Sequence, residues 1–245
     1  ISQTAPSGVG STPVSPRQFA QTAIANGCRI VAFTYTEPLT YIEYTRDCAQ
    51  ACREAGLETV LVTAGYVNPK PLSDLMPYLS AANIDLKSFS DDVYRRISHG
   101  TLQPVLDSIV AMQAAGVWVE LTNLMIPGVN DSSDMTRAMC RWLVKNGLAE
   151  QPLHFSRFFP QYRMQDVHPT PLSTLTNARQ IAHEEGLEYV YIGNTTLPDA
   201  EDTHCPNCGT LLVKRDGYHI IENRLATVTP EGICPKCGHR IAGRW

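Results

Sequence analysis

The sequence predicts an α/β protein, in which a partial (β/α) barrel of parallel strands precedes a small C-terminal ribbon built on cysteines. Three observations predict this fold. Segments with helical and with strand periodicity alternate as far as residue 192. Glycine follows most predicted helices, where it commonly ends a helix. Two Cys-x₂-Cys pairs lie near the C-terminus. An open doubly wound sheet fits the same alternation.

The predicted elements follow one another without an internal repeat. Residues 4–16 are rich in Ser, Pro and Gly and are predicted to form a loop, and residues 194–204 form a polar linker. Helices are predicted at Pro16–Asn26, Tyr41–Ala55, Ser73–Ala82, Leu102–Ala115, Ser132–Asn146 and Ser173–Glu185. Strands are predicted at Ile30–Tyr35, Glu58–Thr63, Ile84–Leu86, Val117–Ile126, Leu153–Phe158 and Tyr189–Ile192. We expect one domain over residues 1–196 and a ribbon with its linker over residues 197–245.

Composition excludes several classes of protein. The chain has 245 residues, of which 43% are hydrophobic and 18% charged, so it can bury a large core. The net charge of −4 argues against a strongly electrostatic nucleic-acid binder. No apolar run approaches the roughly 20 residues that span a bilayer. Without a secretory signal, the eight cysteines indicate a reducing, cytoplasmic setting rather than a disulfide framework.

The C-terminal cysteines form two copies of one knuckle. Cys205-Pro206-Asn207-Cys208-Gly209 and Cys234-Pro235-Lys236-Cys237-Gly238 each place two thiolates on a tight turn. The segment between them is long enough for a hairpin that brings Cys205, Cys208, Cys234 and Cys237 into one tetrahedral site. We predict a structural zinc ion there. Rubredoxin-like iron sites use the same knuckles and are the competing interpretation.

Polar residues follow the predicted strands, where ligands bind in parallel α/β proteins. The residues that converge on this edge of the predicted sheet are Glu37, Asp85, Lys87, Asn123, His154, Arg157 and Asn194. Any one of them alone is more often a helix cap or a surface ion pair. As a set they predict a ligand site.

Five motifs, in this order, carry a family resemblance. They are Thr34-Tyr35-Thr36-Glu37-Pro38, Asp85-Leu86-Lys87-Ser88-Phe89, Ile126-Pro127-Gly128-Val129-Asn130-Asp131, His154-Phe155-Ser156-Arg157-Phe158 and Tyr189-Val190-Tyr191-Ile192-Gly193-Asn194. With the ribbon, they resemble the radical S-adenosylmethionine (SAM) enzymes related to pyruvate formate-lyase activating enzyme. The AmmeMemoRadiSam branch, which carries such a ribbon, is the most similar.

The resemblance implies an oxidoreductase with a known chemistry. In this family a [4Fe–4S] cluster on three cysteines binds SAM, and reductive cleavage yields a 5′-deoxyadenosyl radical that abstracts hydrogen from a substrate. By motif, Glu37 resembles the carboxylate that binds the SAM amino group, and Asp85 and Lys87 resemble catalytic residues beside SAM and substrate. The SAM contacts that the resemblance implies are Glu37, Thr63, Gly65, Asp85, Asn123, His154, Arg157 and Asn194. Ala64 stands where the family usually has Asn.

The cluster motif Cys-x₃-Cys-x₂-Cys is absent from this sequence. In this branch a segment like Ile1-Ser2-Gln3 closely follows it, so we expect the chain to begin just after it, without the first strand and cluster loop. Cys48 and Cys52 have the x₃ spacing, but residue 55 is Ala and both lie on a predicted helix. We therefore predict that this chain contains no [4Fe–4S] ligands and is inactive alone.

Two other functions remain open from the sequence. Lys87 at a strand end suits a cluster-independent Schiff-base lyase or aldolase. The mildly basic ribbon suits a binding module, although nucleic acid is not the expected partner. The resemblance implies a protein or small-molecule substrate, a reductant such as flavodoxin or ferredoxin, and Memo-like and AMMECR-like partner proteins. No membrane association is expected.

Overall fold

A computed structural model of the protein describes residues 12–225 and 232–245. The predicted loop at residues 4–16 is described only from residue 12, and residues 12–15 form no helix or strand. The chain divides into two compact units, which comprise residues 1–86 with 103–119 and residues 87–102 with 120–245. No helix in the described ranges is long and apolar enough to cross a membrane.

The elements alternate as the sequence predicts. The helices are α1 Pro16–Ala25, α2 Ile42–Glu54, α3 Pro69–Leu75, α4 Asp91–Val93, α5 Gln103–Ala114, α6 Ser133–Lys145 and α7 Leu172–Glu184. The strands are β1 Ile30–Phe33, β2 Glu58–Thr63, β3 Ala81–Asp85, β4 Trp118–Met125, β5 Leu153–Arg157, β6 Val190–Gly193, β7 Thr203–His204, β8 Leu211–Asp216 and β9 His219–Asn223. Strands β1 to β6 form one parallel sheet in chain order, which confirms the predicted α/β class.

Local chemistry sets the start of helix α1 in the first unit. Ser15 caps α1 in a capping box with Gln18, whose side-chain oxygen accepts the Ser15 backbone N–H at 3.0 Å. Pro16 takes the first helical position, where its missing N–H costs nothing. Phe19 of α1 stacks on Phe33 of β1 with ring centroids 5.8 Å apart. These contacts fix α1 against the first strand.

The predicted helix Ser73–Ala82 is wrong. The helix instead begins at Pro69, after Asn68, and ends at Leu75, where a short 3₁₀ turn over Met76–Tyr78 follows. Pro77 is the physical reason, because it lacks a backbone N–H and its ring clashes with the carbonyl of the preceding turn. Residues from Ala81 onward are free to pair with β2 as strand β3.

The second unit packs helices against β4 to β6 and continues into the ribbon. Alternate residues of β4 are buried, among them Leu121 and Met125, and Phe155 of β5 is fully buried. The segment after β3 contains α4 and a π-helical turn over Tyr94–Ser98, which the sequence did not predict. Strands β7 to β9 form a separate antiparallel sheet at the start of the ribbon.

Candidate functional site and metal centre

The Glu37 carboxylate is held by three hydrogen bonds at the end of β1. Its Oε1 accepts from the Leu39 backbone N–H at 3.1 Å and from Thr63 Oγ1 at 2.5 Å. Its Oε2 accepts from the backbone N–H of Ala64 at 2.7 Å. Thr63 is the last residue of β2, so the carboxyl ends of two neighbouring parallel strands share one carboxylate. The arrangement presents a fixed negative charge at the edge where such sheets bind ligands.

The turn after β2 requires glycine. Gly65 has a φ of +69°, and a Cβ there would lie 2.9 Å from Ile84 Cγ2. Its backbone N–H donates to Thr63 Oγ1 at 3.0 Å, which orients the hydroxyl toward Glu37. Ala64, which departs from the family's usual Asn, contacts Glu37 through its backbone N–H rather than through a side chain.

Asp85 and Lys87 follow the third strand. Asp85 is the last residue of β3 and half-buried, whereas the Lys87 side chain is exposed. The Lys87 backbone is held on both sides, because its N–H donates to Tyr94 Oη at 3.2 Å and its carbonyl accepts from Asn130 Nδ2 at 2.6 Å. An exposed lysine lacks the apolar pocket that activates a Schiff-base nucleophile. The structure therefore offers no support for the aldolase interpretation.

Asn130 closes the loop after β4, a role that the sequence did not reveal. The side chain is 4% exposed. Its Nδ2 donates to the carbonyls of Lys87 and of Leu124, at 2.6 and 2.8 Å, while its Oδ1 accepts the Ile126 backbone N–H at 2.6 Å. One amide thus satisfies three backbone groups. The Ile126–Asp131 motif contains Asn130, but the motif alone does not indicate which backbone groups the side chain binds.

Arg157 and Asn194 lie together at the ends of β5 and β6. Asn194 Nδ2 donates to the Arg157 carbonyl at 3.3 Å. Asn194 has a φ of +57°, a left-handed conformation that asparagine tolerates better than most residues. The Arg157 guanidinium donates from Nε to the Thr170 carbonyl at 2.9 Å and lies over the Phe159 ring, 4.9 Å from its centroid. Thr170 and Phe159 were not predicted.

His154 lies near the start of β5 rather than at its carboxyl end. Its Nε2 is 2.8 Å from Glu120 Oε2, and its ring stacks on Tyr191 with centroids 5.2 Å apart. These three residues line a cavity of about 250 Å³ together with Glu201 and Arg215. Burial raises the pKa of Tyr191, whose hydroxyl is hydrogen-bonded to Thr203. The histidine therefore faces an acid, an aromatic ring and the linker to the ribbon.

Asn123 lies on the other face of β4 from Glu120. Asn123 is 3% exposed and lies on the buried face of the strand, together with Leu121 and Met125. Strand alternation explains the difference, because successive side chains point to opposite faces of a sheet. The sequence pattern located both residues on the same strand but did not separate the faces.

The four ribbon cysteines converge as predicted. Their Sγ atoms all lie within 4.8 Å of one another. Cys205 and Cys237 are 3.6 Å apart, and Cys208 and Cys234 are 3.7 Å apart. A tetrahedron with metal–sulfur bonds of about 2.3 Å has sulfur–sulfur edges of about 3.8 Å, so the set fits a Cys₄ metal site. Zinc and iron satisfy this geometry equally.

The knuckle turns lower the pKa of two of the four thiols, whereas burial raises the pKa of Cys205 to about 12. The Thr210 hydroxyl lies 3.2 Å from Cys208 Sγ, and its side-chain and backbone hydrogen bonds lower the pKa of Cys208 to about 6. The Asn207 side chain and the His239 backbone N–H lower the pKa of Cys237. Hydrogen bonds to a thiolate favour the charged form that binds metal.

The ribbon core extends into the parallel sheet of the same unit. Its buried residues are Tyr189, Cys205, Leu212, Val213, Leu225, Cys234 and Ile241. Tyr189 immediately precedes β6, so one aromatic side chain belongs to both layers. Burial raises the pKa of Tyr189 to about 12. The metal site is therefore packed against the end of the sheet rather than suspended on a free tail.

Comparison with known proteins gives the family context. The family model described as "Radical SAM superfamily" matches residues 6–140. The uncharacterized protein MJ0808 of Methanocaldococcus jannaschii is 39% identical over 241 residues, which cover 98% of this chain and 71% of that protein. Pyruvate formate-lyase-activating enzyme of Clostridium pasteurianum is 27% identical over 116 residues, which cover 47% of this chain and 48% of that enzyme.

Solved structures give the same fold. A domain of pyruvate-formate lyase-activating enzyme from Bacteroides vulgatus superposes with a TM-score of 0.56 at 20% identity, covering 67% of this chain and 98% of that domain. Streptococcus suis SuiB bound to S-adenosylmethionine gives a TM-score of 0.60 at 11% identity, covering 76% of this chain and 45% of SuiB. The family model spans more than half of the chain, and the 39% relative spans almost all of it. The chain belongs to the radical SAM superfamily.

Proposed function

We propose that this protein binds SAM and serves as the core of an enzyme that generates a carbon radical on its substrate. The Glu37 carboxylate at the strand ends carries this proposal. In radical SAM enzymes, reductive cleavage of SAM yields a 5′-deoxyadenosyl radical that abstracts hydrogen. This chain's part is to bind SAM, to orient it and to exclude water from the radical.

The hydrogen bonds of Glu37 suit an ammonium ligand. A carboxylate offers about four lone-pair sites, and the described residues fill two on Oε1 and one on Oε2. The remaining site on Oε2 can accept an N–H from the SAM amino group. Because the three donors already fix the carboxylate, little orientation entropy is lost when the ligand binds.

The other proposed contacts support this one. Thr63 and Gly65 shape the turn that holds Glu37, and Asp85 stands at the end of the next strand of the same unit. We propose that Lys87 and Asp85 are catalytic residues that lie beside the substrate. The SAM contacts that the resemblance implies at Asn123, His154 and Asn194 stay predictions.

The [4Fe–4S] cluster that the family implies finds no ligand group outside the ribbon in the described residues. Cys48 and Cys52 are buried in α2, and burial raises the pKa of Cys52 to about 11, which disfavours the thiolate that iron requires. The Cys₄ ribbon is closed by four ligands of its own. No step is therefore assigned to a cluster on the residues of this chain.

We propose zinc for the ribbon and a structural role for it. Four cysteines leave no open position for substrate, which is typical of structural zinc sites. We also propose the AmmeMemoRadiSam branch, on the order of the strand-end motifs and the ribbon. A protein substrate, a flavodoxin or ferredoxin reductant, and Memo-like and AMMECR-like partners belong to this proposal and follow from resemblance.

SAM binding by the Glu37→Gln variant tests the function. The substitution keeps the side chain's size and removes the charge that faces the ammonium. We expect SAM affinity, measured by calorimetry, to fall about tenfold or more, because a charge-assisted hydrogen bond becomes a neutral one. Glu43→Gln, on the exposed first turn of α2, is the matched control and should bind as the parent does. Equal affinities in parent and Glu37→Gln would refute the proposed role.

A further inference from the structure

The Arg157 guanidinium is fixed on two sides at the carboxyl end of β5. Its Nε donates to the Thr170 carbonyl at 2.9 Å. Its planar group lies over the Phe159 ring, 4.9 Å from the centroid, in a cation–π arrangement. Among the described residues, the terminal Nη1 and Nη2 groups have no hydrogen-bond or ion-pair partner. The anchored side chain thus presents two amino groups in a fixed fork.

The anchor itself is rigid. Thr170 is fully buried. Its Oγ1 donates to the Met125 carbonyl at 2.6 Å and accepts the Phe158 backbone N–H at 3.0 Å. The guanidinium therefore rests on a carbonyl that is tied to β4 and to the residue following β5. Such support lowers the entropy lost when a ligand orders the side chain.

Two arginines on α6 of the same unit pair with acids. Arg137 bonds both Glu184 and Glu185, and Arg141 bonds Glu185 at 2.7 Å. Arg157 has no such partner among the described residues, although its Nε and the face of its guanidinium are both held. Phe159, whose ring lies under the guanidinium, is 45% exposed, and Tyr162, farther along the segment after β5, is 57% exposed. An unpaired guanidinium next to exposed aromatic surface is typical of a surface that binds another molecule.

We propose that Arg157 binds an anionic group of the substrate, a carboxylate or a phosphate, through two parallel hydrogen bonds from its terminal amino groups. Planar guanidinium favours such two-oxygen partners. The assignment to the substrate rests on the proposed function and replaces the SAM contact that the resemblance implies for Arg157. The exposed aromatic surface favours the substrate, because it lets a large ligand reach the fork from solvent.

Chemical modification tests the site without knowledge of the substrate. Phenylglyoxal reacts with accessible guanidinium groups, and digestion with mass spectrometry gives a rate for each arginine. We expect acetate or inorganic phosphate to slow modification of Arg157 about fivefold or more. Arg163 is the internal control, because it also lies over an aromatic ring, that of Tyr162 at 5.2 Å, but makes no anchoring hydrogen bond among the described residues. Its rate should not change.

The probes distinguish the sources of the anion. Protection by acetate alone indicates a carboxylate, and protection by phosphate alone indicates a phosphorylated substrate; both support the site. Equal protection of Arg157 and Arg163, or none, overturns it. Protection by SAM at concentrations where acetate has no effect also overturns the assignment to substrate. Because the anion readout needs no SAM binding, it remains decisive even if Glu37 fails its own test.

As a second measurement, Arg157→Met should bind SAM with the parent's affinity, since the fork does not contact the cofactor. A tenfold loss of SAM affinity in a folded variant would show that Arg157 contacts SAM, and it would overturn the assignment to substrate. Arg163→Met serves as the matched variant, because it removes the same charge from the segment that follows β5. Circular dichroism checks that both variants are folded.

Discussion

Tyr189 Oη accepts a hydrogen bond from the backbone N–H of Ala242 at 3.3 Å. The tyrosine stands directly before β6, and the alanine lies near the end of the ribbon. The same ring is buried with Cys205 and Cys234 in one core. The metal-binding segment and the last parallel strand are therefore parts of one packed structure. Loss of the metal should destabilise the end of the sheet as well as the ribbon.

The ribbon should hold one zinc ion per chain, and Cys208→Ser should lose it. Structural zinc in small modules supplies roughly 10–16 kcal/mol of apparent binding energy. We therefore expect the variant to lose bound metal and to unfold at a lower temperature. Elemental analysis and calorimetry measure both effects. Cys28→Ser changes an exposed cysteine outside the site and should leave both unchanged. Iron in place of zinc would contradict the assignment of metal.

Gly65→Ala should destabilise the first unit. The left-handed backbone at Gly65 strains any other residue, and the added Cβ would lie 2.9 Å from Ile84 Cγ2. Both effects lower the stability of the variant. Strain in the left-handed region costs about 1 kcal/mol, and overpacking adds about 1–3 kcal/mol. Gly56 has a φ of +79° with nothing within 4 Å, so Gly56→Ala measures strain alone. Denaturant unfolding should show the larger loss at Gly65, and equal losses would mean that the close approach is relaxed.

Asn130→Ala should be among the more damaging single changes. It removes the acceptor of the Ile126 N–H and the donor to two carbonyls, and buried unpaired groups cost about 1–3 kcal/mol each. Asn130→Asp restores the acceptor but places negative oxygen beside the Lys87 and Leu124 carbonyls, so it should not rescue stability. Unfolding in urea measures both. Asn146→Ala, which loses one helix-end bond to Trp142, should cost less.

Glu185 should make stability depend on pH at the acid end. Hydrogen bonds from Arg141, and next from Arg137, hold the pKa of the Glu185 carboxyl below its ordinary value of 4.5. A carboxyl with a lowered folded-state pKa stabilises fully above its unfolded pKa and loses that contribution as pH falls through its folded pKa. The melting temperature of the parent should therefore exceed that of Glu185→Gln at neutral pH. The difference should shrink below pH 4.5.

Glu184→Gln is the control variant for the pH dependence of the melting temperature. Glu184 binds only Arg137 among these arginines, at 3.2 Å, and its side chain is 46% exposed. Solvent screens an exposed pair, so its removal should change the melting temperature less than removal of Glu185. A constant difference between parent and Glu185→Gln across the acid range would show that the ion pairs do not control stability there.

The sequence predicted what local chemistry controls. Ser15 and Pro16 mark the first helix, and paired cysteines mark the metal site, because capping and ligand spacing depend on a few adjacent residues. The predicted helix Ser73–Ala82 runs past Pro77, whereas the observed helix ends at Leu75. The π-helical turn at Tyr94–Ser98 carries no known local signature, so it could not be predicted.

In the candidate site, too, the residues could be predicted from local motifs, but their tertiary contacts could not. Glu37 was predicted as a ligand carboxylate, but its bond to Thr63 joins residues 26 positions apart and depends on strand pairing. His154 was grouped with strand-end residues, although in the structure it contacts Glu120 and Tyr191. Asn130 was visible in a motif without its three partners. Tertiary contacts of this kind follow from register and packing, which a single sequence leaves open.

The order of the parallel sheet bears on how the chain is made. Each strand from β2 to β6 lies beside the strand that precedes it in the chain. During synthesis, a strand that leaves the ribosome therefore finds its hydrogen-bonding neighbour already present, with one helix-containing connection to close. Assembly can proceed from the N-terminal strand onward, without a wait for distant segments. The ribbon follows the parallel sheet in the chain, so the metal is bound when the sheet that supports Tyr189 has already been translated.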